Sequence, residues 1–113
     1  MHELSICESI VTTLKSQAAL HDFSRVKILR LEIGQFSGVE AEALRFCFPI
    51  VALGTVAEDA DMEITLVPGQ GWCDSCQCTS EMQERYSPCQ QCGRHGLTLS
   101  AGDEMRIANV EVE

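Results

Sequence analysis

Two cysteine pairs, Cys73-Asp74-Ser75-Cys76 and Cys89-Gln90-Gln91-Cys92, lie twelve residues apart in a stretch with little else to fold around. Between about residues 69 and 102 the large apolar side chains are Trp72, Met82, Tyr86, Leu97 and Leu99. A lobe below about 40 residues normally needs a metal or disulfides to hold it. Two C-x2-C turns can present four thiolates tetrahedrally to one Zn²⁺ and close its coordination shell. Metal–thiolate bonding supplies on the order of 10 kcal/mol in small zinc modules, enough to replace the missing core. The full chain has seven cysteines, at 7, 47, 73, 76, 78, 89 and 92. An odd number, with no export signal, argues against a disulfide framework.

Other uses of these thiols are weaker. A redox C-x-x-C usually occurs once, near a strand–helix junction, whereas here two linked pairs occur. A rubredoxin-like iron site is chemically open, and Cys92-Gly93 fits its turn. Only six of the 113 residues are aromatic, however, so little could shield a redox centre. Cys78 follows Cys76 at a spacing that cannot easily replace a C-x2-C turn, which makes it a free thiol beside the site. His95, three residues after Cys92, can reach the metal as a substitute ligand; a solvated loop histidine is the simpler reading. Cys7 and Cys47 read as small buried hydrophobes.

Charge narrows the partners. Seventeen acidic side chains against eight basic ones give a net charge of −9. Such a surface repels phosphate backbones, which argues against nucleic acid. The longest nearly apolar stretch, Phe46 to Leu53, is far short of the roughly 20 residues of a membrane span. The start, Met1-His2-Glu3, has no basic region ahead of an apolar core, so no signal peptide is expected and the cytoplasm is the expected location.

Periodicity then gives the architecture. Leu4, Cys7, Val11, Leu14 and Ala18 form one helical stripe between Glu3 and about Leu20. Arg25 to Ile33 reads as a strand, and Gly34 to Gly38 as a turn. A second helix is expected from about Val39 to Gly54, burying Val39, Ala43, Phe46 and Ile50, with Pro49 kinking it or ending it near Phe48. Met62, Ile64 and Leu66 alternate as one buried strand face, and Ala108, Val110 and Val112 as another. Pairing those two strands makes the cysteine segment an insertion. The expected fold is α+β: two helices packed on a three-stranded sheet, with an inserted zinc-ribbon-like four-cysteine domain. Residues 1–68 plus 103–113 would form the first domain and 69–102 the second.

At the N-terminus, a free α-amine, an adjacent amide and the His2 imidazole can close five- and six-membered chelate rings around Ni(II) or Cu(II). Taken alone, helix-entry residues are the simpler reading of Met1-His2-Glu3. Together, Met1-His2-Glu3-Leu4-Ser5, Leu31-Glu32-Ile33-Gly34, Glu42-Ala43-Leu44-Arg45-Phe46, the paired C-x2-C motifs and the Ile107-to-Glu113 strand resemble the HypA/HybF family of [NiFe]-hydrogenase maturation over essentially the whole chain. Cys78 and Pro49 depart from the family pattern.

The resemblance implies a nickel metallochaperone that delivers Ni(II) to the hydrogenase large-subunit precursor. Nickel would be held at Met1, His2 and Glu3 by the terminal amine, backbone nitrogens and the imidazole. Zn(II) would be structural, on Cys73, Cys76, Cys89 and Cys92, with His95 an alternative ligand in acid. A HypB-type GTPase is the implied partner, and some members also serve urease. No enzyme is expected, because a closed thiolate shell leaves no position for water and no phosphate-binding loop is present. A terminal strand that can exchange between chains permits a homodimer. The rival reading is a zinc-ribbon protein–protein adaptor that binds no nickel.

Overall fold

The computed structural model describes residues 2–113. Its elements run α1 (His2–His21), β1 (Val26–Gly34), α2 (Ala41–Ala52), β2 (Asp61–Val67), β3 (Gly69–Cys73), β4 (Cys78–Met82), β5 (Thr98–Ala101) and β6 (Met105–Val112). They form an α+β fold of two helices and two three-stranded sheets, ordered β2-β1-β6 and β4-β3-β5. The chain divides into two compact units. One holds the segment up to Leu31, Val39–Thr65 and Ile107–Glu113; the other holds Glu32–Gly38 and Leu66–Arg106.

In the first unit, α1 buries Cys7, Ile10, Val11, Leu14 and Ala18, the stripe its three- and four-residue spacing sets out, with Ile10 in place of the exposed Leu4. The C-terminal strand departs from expectation: β6 pairs with β1 rather than with β2. The nine-residue β1 is the most buried strand of its sheet, with Val26, Leu29, Leu31 and Ile33 enclosed, which suits it to the centre. Arg30, midway along β1, ties both neighbours to it. Its guanidinium donates to Glu63 on β2 (2.9 Å), and to Asn109 (2.9 Å) and Glu111 on β6.

The second helix also corrects the expectation. It starts at Ala41 and runs unbroken through Pro49 to Ala52. Pro49 and Arg45, whose carbonyl loses its helical donor, are both exposed, so water can serve that carbonyl. The buried residues are Leu44, Cys47, Phe48 and Ala52; Phe46 and Ile50 face outward. This helix is apolar on two sides, and periodicity alone offered both stripes. Packing against α1 chose one, with the Cys7 thiol directed at the Leu44 carbonyl at 3.9 Å. Gly54 takes a φ of +74° just past the helix end, the conformation expected of a terminator. Leu66, expected on the buried face of β2, is exposed.

The second unit has a thin interior of Ile33, Met82, Cys73, Cys89 and the buried hydroxyl residue Ser80. In its small sheet, β3 pairs antiparallel with β4 and with β5, placing Cys73 opposite Cys78. The turn after β1 belongs to this unit. Gln35 takes the Gly69 N–H on its side-chain oxygen (2.9 Å) and donates its side-chain N–H to the Gln83 carbonyl (2.8 Å). The Phe36 N–H donates to the Gly102 carbonyl at 2.7 Å, and Arg85 lies 5.4 Å over the Phe36 ring. Close approach demands glycine here: a Cβ on Gly69 would stand 2.2 Å from the Phe36 ring, and one on Gly34 2.3 Å from the Gly102 carbonyl oxygen.

Candidate metal centre

Both cysteine pairs fold into the same local turn. The Gln77 N–H returns to the Cys73 carbonyl (2.8 Å), and the Gly93 N–H returns to the Cys89 carbonyl (2.8 Å). Each returning residue is left-handed, with φ +53° at Gln77 and +75° at Gly93. Glycine adopts that conformation freely, whereas glutamine does so at a cost. The Gln77 amide offsets part of it by donating to the Asp74 carbonyl at 2.7 Å. The Ser80 hydroxyl accepts the Gln90 N–H at 2.9 Å and so anchors the second turn to β4.

The turns bring the sulfurs of Cys73, Cys76, Cys89 and Cys92 within 4.8 Å of one another. Cys73 and Cys92 are 3.7 Å apart, and Cys76 and Cys89 are 4.0 Å apart. A tetrahedral ion with bonds of about 2.3 Å holds its sulfurs about 3.8 Å apart, so the donor set fits zinc. Backbone N–H groups of Cys92 and Gln91 favour the Cys89 thiolate and hold its pKa down to about 6. A hydrogen bond with Cys92, then burial and hydrogen bonds with Cys89 and Cys73, drive Cys76 well above the usual thiol range. Without a cation the four sulfurs share protons; a dication would let all four ionise. Zinc bound here would cross-link the end of β3, the turn that follows it and the 89–92 turn.

The remaining candidates near the cluster lie outside it. Cys78 turns its thiol to the Gln91 side-chain oxygen at 3.1 Å. His95 is exposed and lines a 260 Å³ cavity with Cys73, Asp74 and Arg94.

At the other end of the chain, His2 opens α1 and its side chain is 61% exposed, while the Glu3 side chain is 13% exposed. The His2 Nε2 lies 3.2 Å from a Glu3 carboxylate oxygen, and that oxygen also accepts the Glu40 N–H at 3.3 Å. Directed at Glu3 through Nε2, the imidazole keeps Nδ1, the nitrogen that a six-membered chelate through the His2 amide requires. The first N–H groups of a helix have no intrahelical acceptor, so the amides here are free of the helix ladder. Met1 falls outside the described residues. The sequence signalled His2 and the cysteines. It gave no sign of Gln35, whose partners lie 34 and 48 residues further along the chain, or of Ser80.

Fold and sulfur cluster together define a small metal-handling α+β protein. A family model described as hydrogenase/urease nickel incorporation, metallochaperone, HypA matches residues 1–112. The hydrogenase maturation factor HypA of Azotobacter vinelandii is 48% identical over 113 residues, covering all of both chains, and that of Methylocella silvestris is 46% identical with the same coverage. The solution structure of the nickel metallochaperone HypA from Helicobacter pylori superposes with a TM-score of 0.70 at 20% identity, over 97% of this chain and 96% of that one. Another HypA solution structure gives 0.77 at 21% identity, over 100% and 97%. The chain belongs to the HypA family of hydrogenase maturation nickel metallochaperones, which are maturation factors rather than enzymes.

Proposed function

We propose that this chain carries Ni(II) to the [NiFe]-hydrogenase large-subunit precursor in the cytoplasm, working with a HypB-type GTPase. Family membership supports the general role. The observation that carries the site assignment is the pairing of His2 Nε2 with the Glu3 carboxylate at 3.2 Å. A carboxylate on the far nitrogen of an imidazole fixes ring orientation and raises the basicity of the nitrogen that binds metal. The cargo ion is held by the Met1 amine, backbone amides and His2 Nδ1, with Glu3 steering the imidazole. Nitrogen donors of this kind suit Ni(II), and they lie at a chain end where a recipient can replace them one at a time. Deprotonated amides are required, so affinity rises with pH.

Zinc is the resident ion, on Cys73, Cys76, Cys89 and Cys92. Residues 69–102 form its domain, and residues 1–68 plus 103–113 form the nickel domain. His95 is a reserve ligand that replaces a thiolate on acidification; an X-ray absorption spectrum unchanged between pH 7 and about 6 removes that role.

Titration of Ni(II) into tag-free, zinc-loaded chain tests the cargo assignment. The native chain binds one equivalent, and His2→Ala loses at least tenfold in affinity with zinc content unchanged. A residue added before Met1 weakens binding similarly by displacing the amine. Equal affinity in all three proteins overturns the assignment and leaves a zinc-ribbon adaptor.

A further inference from the structure

The outward side of α2 is the surface that the core does not explain. Phe46 is 74% exposed, Ile50 59% and Leu53 66%. Phe46 and Ile50 stand one turn apart on α2, with exposed Pro49 between them, and Leu53 follows at the C-cap just beyond the helix. Three large side chains more than half exposed present a few hundred Å² of contiguous apolar surface, the scale at which such patches mark interaction sites. Helical anchors at this spacing match the way an amphipathic helix recognises an apolar surface.

The surrounding charges select the occupant. Carboxylates flank the stripe in sequence, all exposed: Glu40 and Glu42 before it, and after it Glu58, which accepts the Gly54 N–H at 2.8 Å, Asp59 and Asp61. The one base between residues 39 and 61 is Arg45, and it is engaged. Its guanidinium donates to the Met62 carbonyl at 3.0 Å and lies 3.8 Å from the Glu42 carboxylate. A second copy of the chain would bring the same carboxylates and a further net charge of −9, so self-association on this face is opposed.

We propose that the face made by Phe46 and Ile50 of α2, with Leu53 at its C-cap, docks an amphipathic helix of a partner protein whose apolar stripe is flanked by lysine and arginine. The surface also has a direction. Glu3 meets the Glu40 amide, and one turn on along α1 Cys7 meets the Leu44 carbonyl, so the two helices run side by side from their N-terminal ends. Phe46 lies about 9 Å of helical rise beyond Glu40. A docked helix therefore reaches the end of the unit that carries His2. The docking itself does not depend on metal at His2.

The test uses the full zinc-loaded chain, isotope-labelled for NMR at about 150 mM salt. One probe is an 18-residue helical peptide of leucine and lysine with leucines at i, i+3, i+4 and i+7; the other replaces every lysine by glutamate. Saturable binding of the lysine peptide is expected, with shifts centred on residues 46–53 and no binding of the glutamate peptide. The double variant Phe46→Ser/Ile50→Ser should lose at least tenfold in affinity. Both positions are exposed, so it should keep its unfolding midpoint and its Ni(II) affinity; Leu53→Ser, a milder change, should weaken binding several-fold. Shifts spread over all acidic surfaces overturn the proposal, as do shifts confined to the apolar cavity of about 360 Å³ lined by Leu14, Phe23, Ile107 and Val110, or equal affinity in the variants. A dimer in sedimentation that Phe46→Ser/Ile50→Ser dissociates would show that a second copy occupies the face, and would also overturn it.

Discussion

One carboxylate oxygen of Glu3 accepts the backbone N–H of Glu40 at 3.3 Å, joining the first turn of α1 to the entrance of α2. Glu40 occupies the N-cap position of α2, and its own side chain makes no capping bond. Glu3 thus supplies from another helix the negative charge that a helix start favours. Glu3→Ala should destabilise the chain by about 1 kcal/mol, the usual value of a cap, read from urea unfolding. Glu3→Gln keeps an acceptor and should cost less. Ni(II) affinity should fall in Glu3→Ala through the freed imidazole, by less than in His2→Ala.

Removal of zinc should unfold the second unit and spare the first. Chelation, or serine at Cys73, Cys76, Cys89 or Cys92, leaves little more than Ile33, Met82 and Ser80 inside that unit. Trp72, whose indole N–H donates to Asp74 at 2.9 Å beside the first turn, reports the loss by fluorescence. Cys78→Ser, outside the sulfur cluster, should keep one equivalent of zinc by metal analysis.

The Cys7 thiol gives an alkaline signature. Burial, then the neighbouring Cys47 and Glu3, push its pKa from 9.0 up to about 11. A folded value above the unfolded one contributes stability that is fully present below pH 9 and is lost as pH rises through 11. Urea midpoints should fall between pH 9 and 11 in the native chain and fall less in Cys7→Ala. Alkylation at pH 8 should reach Cys78 well before Cys7.

Acid acts through Arg30. Its bond to Glu111 holds that carboxyl below the usual carboxylate range. A depressed folded value contributes stability above the unfolded pKa, near 4.3, and loses it as pH falls through the folded one. The stability difference between the native chain and Arg30→Gln should be steady from pH 7 to 5 and shrink below about pH 4.

Gly34→Ala should be among the most damaging single changes away from the sulfurs. The new Cβ would meet the Gly102 backbone at 2.3 Å, where neither chain segment carries a side chain that can yield. A loss of at least 1–3 kcal/mol is expected from calorimetry, the range for overpacking.

How far the sequence reached depended on whether the relevant contacts are local. The two C-x2-C turns close through bonds four residues apart, so spacing and the glycine after Cys92 were enough to read them. The stripe of α1 was legible because its other side is polar. On α2, a helix apolar on both sides, periodicity could not choose; packing against α1 buried Leu44 and Cys47 and left Phe46 and Ile50 outside. Strand order was likewise a tertiary decision. Alternation marked β2 and β6 as strands but put Leu66 and Val112 on buried faces where both are exposed, and the central place went to β1, whose Arg30 serves neighbours on both sides. By itself the sequence determined the local turns, the amphipathic first helix and the thiol set. Only the tertiary structure decided which apolar face stays in water and that Glu3 meets Glu40, because both depend on groups brought together across 37 residues or more of chain.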